Sequence, residues 1–218
     1  CLKRLEYRGS GSAGICVVQG ELSVVKKVGE IQQLEKAMPD LPGSVGIGHT
    51  RWATHGGVTE GNAHPHLSCE NDIAIVHNGI IENFASLRKE LQENGHVFTS
   101  ETDSEIIAHL IEYNYDGSLE EALRAAVSRL QGSYAIVAVA RQEPEKVVAV
   151  RRESPLVVGI GDSENFISSD VPAFLEYTKR VMYLEDDELC VLHSDGVTIS
   201  AADGTPIQKE VQTVDWSI

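Results

Sequence analysis

The chain has 218 residues, and its 18 Lys+Arg against 33 Asp+Glu give a formal charge of −15. The length allows one large domain or two small ones, able to bury most of their apolar surface without staples. A hydrophobic share of 42% with 23% charged residues excludes a disordered chain, and the acidic balance argues against nucleic acid, whose phosphates must be met by clustered Lys/Arg. No apolar run approaches the ~20 residues of a membrane span. No charged-then-apolar leader opens the chain, so no membrane or secretory role is expected and the expected compartment is the cytoplasm.

In chain order, Ala13–Val18 and Leu22–Val28 read as β-rich runs. Glu30–Ala37 follows as a helix with Ile31, Leu34 and Ala37 on one face. Val45–His49 and Ile73–His77 are short apolar strands. Three helices come next. Asn83–Asn94 carries Phe84, Leu87 and Leu91 and stops at Gly95. Asp103–Tyr113 carries Ile106, Ile107, Leu110 and Ile111. Ser118–Leu130 opens with the capping box Ser118-Leu119-Glu120-Glu121. Strands then return at Tyr134–Ala140, Lys146–Arg151, Leu156–Ile160 and Asn165–Ser168. A weak helical start at Val171–Glu176 precedes Arg180–Leu184. Last, Glu188–His193 and Val197–Ser200 form a hairpin across Ser194-Asp195-Gly196. Central helices flanked by many strands, without βαβ alternation, predict antiparallel sheets with helices outside, an α+β layered fold. No repeat or linker divides the chain, so one domain over 1–218 is expected.

The four cysteines, Cys1, Cys16, Cys69 and Cys190, are scattered and form no Cys-x-x-Cys, which excludes a disulfide framework or a zinc ribbon. Cys16 and Cys190 read as small buried strand residues. Cys69 follows a loop and carries no signal. Five of the eight histidines lie between His49 and His77. His64-Pro65-His66 offers two imidazoles, but no His-x-x-x-His helix or Cys pair accompanies it, so no metal is expected and the histidines are expected to bond backbone carbonyls.

Four segments carry polar residues that a core does not need: Leu5-Glu6-Tyr7-Arg8-Gly9; His49-Thr50-Arg51-Trp52-Ala53-Thr54-His55-Gly56, with Asn62-Ala63-His64-Pro65-His66 after it; His77-Asn78-Gly79-Ile80-Ile81-Glu82-Asn83; and Ser100-Glu101-Thr102-Asp103-Ser104-Glu105. Arg51, at a strand end, either clamps a carboxylate with two parallel N–H bonds or holds a loop carbonyl. Asn78-Gly79 is either a pair of convergent donors of the oxyanion-hole kind or a plain turn. Asp103 either caps its helix or anchors an ammonium group.

Taken together and in order, these segments resemble the glutaminase (class II glutamine amidotransferase) domain of the glucosamine-6-phosphate synthases, the isomerising glutamine–fructose-6-phosphate aminotransferases. Ser154-Pro155-Leu156-Val157-Val158-Gly159 and Glu164-Asn165-Phe166-Ile167-Ser168-Ser169-Asp170 continue the resemblance, which covers nearly the whole chain. It implies a four-layer αββα sandwich of the N-terminal nucleophile hydrolase type, two antiparallel sheets between helix layers. It also implies L-glutamine as substrate, no cofactor, and a cysteine thiolate that attacks the side-chain amide with its own α-amine as base. By position, Asn78 and the Gly79 N–H correspond to the oxyanion hole, Arg51 to the α-carboxylate clamp and Asp103 to the partner of the α-amine. Trp52, Thr54 and His55 correspond to pocket residues, with His64 on a nearby loop. Fructose-6-phosphate would bind only to synthase domains beyond this chain, and a homo-oligomer is implied for the full-length enzyme.

The chain departs from that pattern twice. The family's nucleophile opens a Cys-Gly-Ile-Val-Gly strand well before Leu-Glu-Tyr-Arg-Gly, whereas Cys1 runs directly into Leu2-Lys3-Arg4-Leu5-Glu6. Leu2 and Leu5, three apart, suit a helix face rather than a strand. The expectation is therefore that the nucleophile's strand is absent and that Cys1 is remote from the site, Cys1 being the nucleophile only if it stands as the true N-terminal cysteine. Secondly, Gly9-Ser10-Gly11-Ser12 stands where the family has Tyr-Asp between Gly and Ser, which removes a ring and a carboxylate and adds backbone freedom.

Overall fold

The computed structural model describes residues 1–53 and 56–217. A 3₁₀ turn over Leu2–Arg8 leads into β1 (Ser12–Gln19), β2 (Glu21–Val28), α1 (Ile31–Ala37), β3 (Val45–Arg51), β4 (His66–Leu67) and β5 (Ile73–Ile81). Next come α2 (Phe84–Glu93), α3 (Glu105–Asn114), α4 (Leu119–Val127), β6 (Gly132–Ala140), β7 (Val147–Arg152), β8 (Val157–Ile160) and β9 (Asn165–Ser168). A second 3₁₀ turn (Val171–Ala173) precedes β10 (Arg180–Tyr183), β11 (Leu189–His193), β12 (Gly196–Ser200), β13 (Pro206–Ile207) and β14 (Gln212–Thr213).

Period-two alternation sorts the strands' side chains into two cores. Ile73 and Ile75 of β5, Ile136 and Ala138 of β6, and Val148 and Val150 of β7 pack with Leu87, Ile107, Leu110 and Leu123 of α2, α3 and α4. The intervening Ala74, Val76, Ala135, Val137 and Ala149 face the other way, onto Cys16, Ile47, Val158 and Met182 of the second layer. The first sheet runs β13-β12-β11-β7-β6-β5-β4. The second layer is in two pieces, β2-β1-β3 and β14-β10-β8-β9, and every pairing in the three sheets is antiparallel. Ile31 and Leu34 of α1 cover Ala13 and Ile15 on its outer side. Among the described residues no helix is long and apolar enough to cross a membrane.

The 3₁₀ turn is tied down by the first polar segment. Tyr7 Oη donates to Asp170 Oδ2 at 2.6 Å, Glu6 Oε1 accepts from the Ile31 N–H at 3.0 Å, and Arg8 Nη1 donates to the Ser169 carbonyl at 3.3 Å. Nor is the Gly-rich substitution slack. The Gly11 N–H bonds the Arg51 carbonyl at 3.0 Å and its own carbonyl accepts from the Gly29 N–H at 2.8 Å.

Most boundaries follow the periodicity, and the N-cap half of the capping box forms: Ser118 Oγ accepts from the Glu121 N–H at 3.3 Å. Three details differ from expectation. The two-residue strands β4, β13 and β14 are too short to show a period. The last hairpin pairs His193 with Gly196, so Ser194-Asp195 closes it and Gly196 is already strand. Finally, β5 continues to Ile81, because every residue from Ile73 to Ile81 finds a partner on β6.

Candidate functional site

That last difference matters for chemistry. Asn78 and Gly79 are strand residues opposite Ala135 and Tyr134, not a turn after the strand. Gly79 has φ +127°, and a Cβ there would meet the Ser133 carbonyl oxygen at 2.2 Å. Only glycine fits, which leaves the local backbone bare of side chain.

A cleft of about 590 Å³ opens beside these two residues. One wall is β3, from Gly46 to Arg51, and another is β9 with Ser169. Val76, Ala135 and Val137 of the large sheet line its floor. β3 and β9 are each paired on one side only, to β1 and β8. The cleft thus lies between two open strand edges.

Arg51, Trp52, Asn78, Gly79 and Asp103 all line this cleft, and so does Cys1. The expectation of a Cys1 remote from the site is therefore corrected. The helical start is as expected, but its turn lies against β3 and puts Cys1 at the cleft's edge, exposed, as the residue capping the turn. The Cys1 carbonyl accepts from the Arg4 N–H at 3.0 Å. Trp52 stays 66% exposed. Thr54 and His55 lie outside the described residues.

Arg51 is buried, and its Nη1 donates to the Gly57 carbonyl at 3.0 Å, so the loop-holding arrangement is realised. Burial lowers the guanidinium's pKa, and the nearby Asp103 carboxylate opposes that shift. Asp103 is buried as well, and its Oδ2 accepts from the Ile81 N–H at 2.8 Å. It does not cap α3. The Glu105 N–H is instead taken by Thr102 Oγ1 at 3.3 Å. One cation and one anion thus stand close together beside Asn78.

Sequence reasoning missed His49 as a partner in this site. His49 Nε2 lies 2.7 Å from Asn78 Oδ1, and since that oxygen only accepts, the imidazole donates. The Asn78 carboxamide is left with its two N–H donors for other partners. Burial holds the His49 pKa down at about 4, so the ring is neutral. The ring stacks on His64, centroids 4.1 Å apart.

His64, His66 and His77 also meet mainly groups other than backbone carbonyls. His64 Nδ1 accepts from the His77 N–H at 3.2 Å, and His66 Nε2 meets Thr102 Oγ1 at 2.9 Å. His77 Nδ1 meets Ser104 Oγ at 2.7 Å, and its Nε2 lies 3.4 Å from the Ser133 carbonyl. Burial lowers the pKa of all three.

This histidine core predicts acid sensitivity. Unfolded imidazoles protonate near pH 6.5, whereas these remain neutral well below it when folded. As pH falls from about 6.5 towards 4, the unfolded chain gains protons the folded one refuses. Each such histidine then removes up to about 1.4 kcal/mol of stability per pH unit. Urea unfolding should therefore give a clearly lower midpoint at pH 5 than at pH 7.5; equal midpoints would mean that the imidazoles accept protons within the fold.

The comparisons agree with the geometry. A profile of the glutamine amidotransferase domain family matches residues 49–176. Over the whole chain the sequence is 51% identical to the isomerising glutamine–fructose-6-phosphate aminotransferase of Thermus thermophilus and 48% identical to that of Methanothermobacter thermautotrophicus. The chain spans 36% and 37% of those two proteins, just over a third of each. Among solved structures it resembles the glutamine phosphoribosylpyrophosphate amidotransferase of B. subtilis, determined with ADP and GMP. That likeness has a TM-score of 0.75 at 27% identity, over 91% of this chain and 44% of the other. A structure described as the allosteric regulatory enzyme of purine biosynthesis gives a TM-score of 0.79, also at 27% identity, over 92% of this chain and 44% of that one. With the profile matching more than half of its length, and with the layered antiparallel fold of these amidotransferases, the chain belongs to the glutamine amidotransferase domain family.

Proposed function

We propose that this chain is the single glutaminase domain of a longer isomerising glutamine–fructose-6-phosphate aminotransferase, a domain that yields ammonia and glutamate from glutamine once its nucleophile is in place. One observation carries this reading. A buried guanidinium, a buried carboxylate and an Asn-Gly pair line the same cleft. Glutamine has a matching set of groups: an α-carboxylate for Arg51, an α-ammonium for Asp103 and a side-chain amide for Asn78 and Gly79.

A cysteine thiolate adds to the amide carbon, and the carbonyl's π pair moves onto oxygen. The developing oxyanion accepts from an Asn78 Nδ2–H and the Gly79 N–H. As the tetrahedral adduct collapses, the cysteine's α-ammonium, which took up the thiol proton, passes it to the leaving nitrogen, so ammonia departs and a glutamyl thioester remains. Water then adds, and glutamate leaves as the thiol is restored. An extended segment running along the open edge of β3 or β9 would bring such a nucleophile beside Asn78 and Gly79. Fructose-6-phosphate as the acceptor of the ammonia belongs to the longer protein, in keeping with the names of its relatives.

His49 is a positioning residue in this scheme, since it occupies the Asn78 oxygen and so turns the amide's donors outward. In the protein with its nucleophile present, Asn78→Ala should lower turnover by roughly 10²–10³, the usual effect of losing one oxyanion donor. His49→Phe should lower kcat while leaving the KM for glutamine nearly unchanged. Full turnover by Asn78→Ala would remove the oxyanion role.

A further inference from the structure

Away from the cleft, four side chains with metal-binding atoms converge: Cys69, His96, His109 and Glu112. None of them lines the cleft. They come from three segments far apart in sequence. Cys69 sits in the turn between β4 and β5, His96 just after α2, and His109 and Glu112 one turn apart on α3. Cys69 Sγ lies 3.6 Å from His96 Nδ1 and 3.4 Å from His109 Nδ1. The two Nδ1 atoms are 3.2 Å apart, and Glu112 Oε1 is 3.2 Å from His96 Nδ1 and 4.0 Å from His109 Nδ1.

All but the 4.0 Å separation of Glu112 from His109 lie within a few tenths of an ångström of those in a tetrahedron around one ion. With zinc–sulfur bonds of about 2.3 Å and zinc–nitrogen or zinc–oxygen bonds of about 2.0–2.1 Å, tetrahedral angles put sulfur and nitrogen about 3.6 Å apart and nitrogen and nitrogen about 3.3 Å apart. We propose that Cys69, His96, His109 and Glu112 form a four-ligand site for a divalent transition-metal ion, zinc(II) in the first place.

The surroundings support the ligand set. His109 is 1% exposed, and its outer nitrogen, Nε2, faces Glu105 Oε1 at 3.4 Å. A carboxylate in that place holds the proton on Nε2 and leaves the Nδ1 lone pair aimed into the cluster, the usual arrangement behind a metal-bound imidazole. Glu105 is itself fixed by the Thr99 N–H at 2.8 Å, the Ser100 N–H at 2.7 Å and the Ser100 hydroxyl at 2.6 Å. The Val97 N–H donates to Cys69 Sγ at 3.4 Å, and the Cys69 and Glu70 N–H groups donate to the two Glu112 oxygens at 3.2 Å each.

Ligand type decides the ion. Calcium and magnesium need six or so oxygens, and only one carboxylate is present here. A thiolate and a carboxylate offset the charge of a dication, and sulfur with imidazole suits zinc. Four protein ligands leave no open position, which marks a structural site rather than a catalytic one. Its place in the fold gives it a purpose. α3 begins at Glu105, two residues after Asp103, so an ion gripping His109 and Glu112 would pin the helix that holds Asp103 at the cleft.

The test is metal analysis of the protein purified without a histidine tag and dialysed against a weak chelator. About one zinc per chain is expected. Cobalt(II) added to the metal-free protein should give the strong visible bands of a tetrahedral site, with a thiolate-to-cobalt band in the near ultraviolet. Cys69→Ala, on an exposed turn, and His96→Ala, partly buried in the loop after α2, should remove that band or the bound zinc while the far-ultraviolet circular dichroism stays the same. Glu105→Gln should weaken zinc affinity by roughly 10–100-fold. Three results would each overturn the proposal: no retained zinc together with no rise in Tm on adding zinc, zinc held equally well by Cys69→Ala, or a weak octahedral cobalt spectrum.

Discussion

Glutamate release from glutamine by the 218-residue chain is expected to stay near background, and to appear when a Cys-Gly-Ile-type strand precedes Leu2. The reason is geometric. A nucleophile must lie within about 3–3.5 Å of the carbon it attacks, along a fixed line. Cys1 reaches the cleft, but it caps a 3₁₀ turn and its carbonyl is tied to the Arg4 N–H. Its thiol therefore rides on an exposed turn and not at the end of a strand. The gap between β3 and β9 has an open edge on each side and an apolar floor of Val76, Ala135 and Val137. A strand added there could pair at about 4.8 Å with the open edge of β3 or of β9 and so extend that small sheet. Removing the nucleophile from a covalent mechanism costs on the order of 10⁶ in turnover, so a glutamate-release assay separates the two chains without ambiguity. Robust turnover by the 218-residue chain, abolished by Cys1→Ala, would make Cys1 the nucleophile and require the turn to rearrange.

Arg51→Ala should weaken the binding of glutamate or glutamine by about 2–5 kcal/mol, roughly 30- to 5,000-fold in Kd, because the ligand's carboxylate would lose its charged partner in a buried place. The same change removes one of two donors to the Gly57 carbonyl, which keeps Asn62 Nδ2 at 3.0 Å, so unfolding stability should fall by only about 0.5–1.5 kcal/mol. Arg51→Lys separates the effects. It keeps the charge but cannot offer two parallel N–H bonds, and so should recover stability more fully than affinity. Calorimetric titration with glutamate is the measurement, with circular dichroism melts as the control. Unchanged affinity in a folded Arg51→Ala variant would remove the clamp role.

Much of this molecule is legible in its sequence, because burial imposes a period on each element separately. The unbroken apolar runs Ile73–Val76 and Ile136–Val139 report strands buried on both faces, and the sheet indeed has a core on each side. The capping box of α4 and the last hairpin are equally local signals, decided within a few residues. The string from His49 to Gly56 carries the family resemblance in the same way, as a run of neighbours.

What required the tertiary structure is contact between residues far apart in the chain. Asn78-Gly79 looks like a turn until β6 pairs with it, and the strand then continues to Ile81. His49 reaches the Asn78 oxygen only because β3 lies across β5. Cys69 carries no signal alone, and its partners His96 and His109 are 27 and 40 residues away. Periodicity states which side of an element is buried. Which side chains then meet is set by how the elements dock, through packing and backbone pairing summed over the whole fold, and no local stretch of sequence contains that sum.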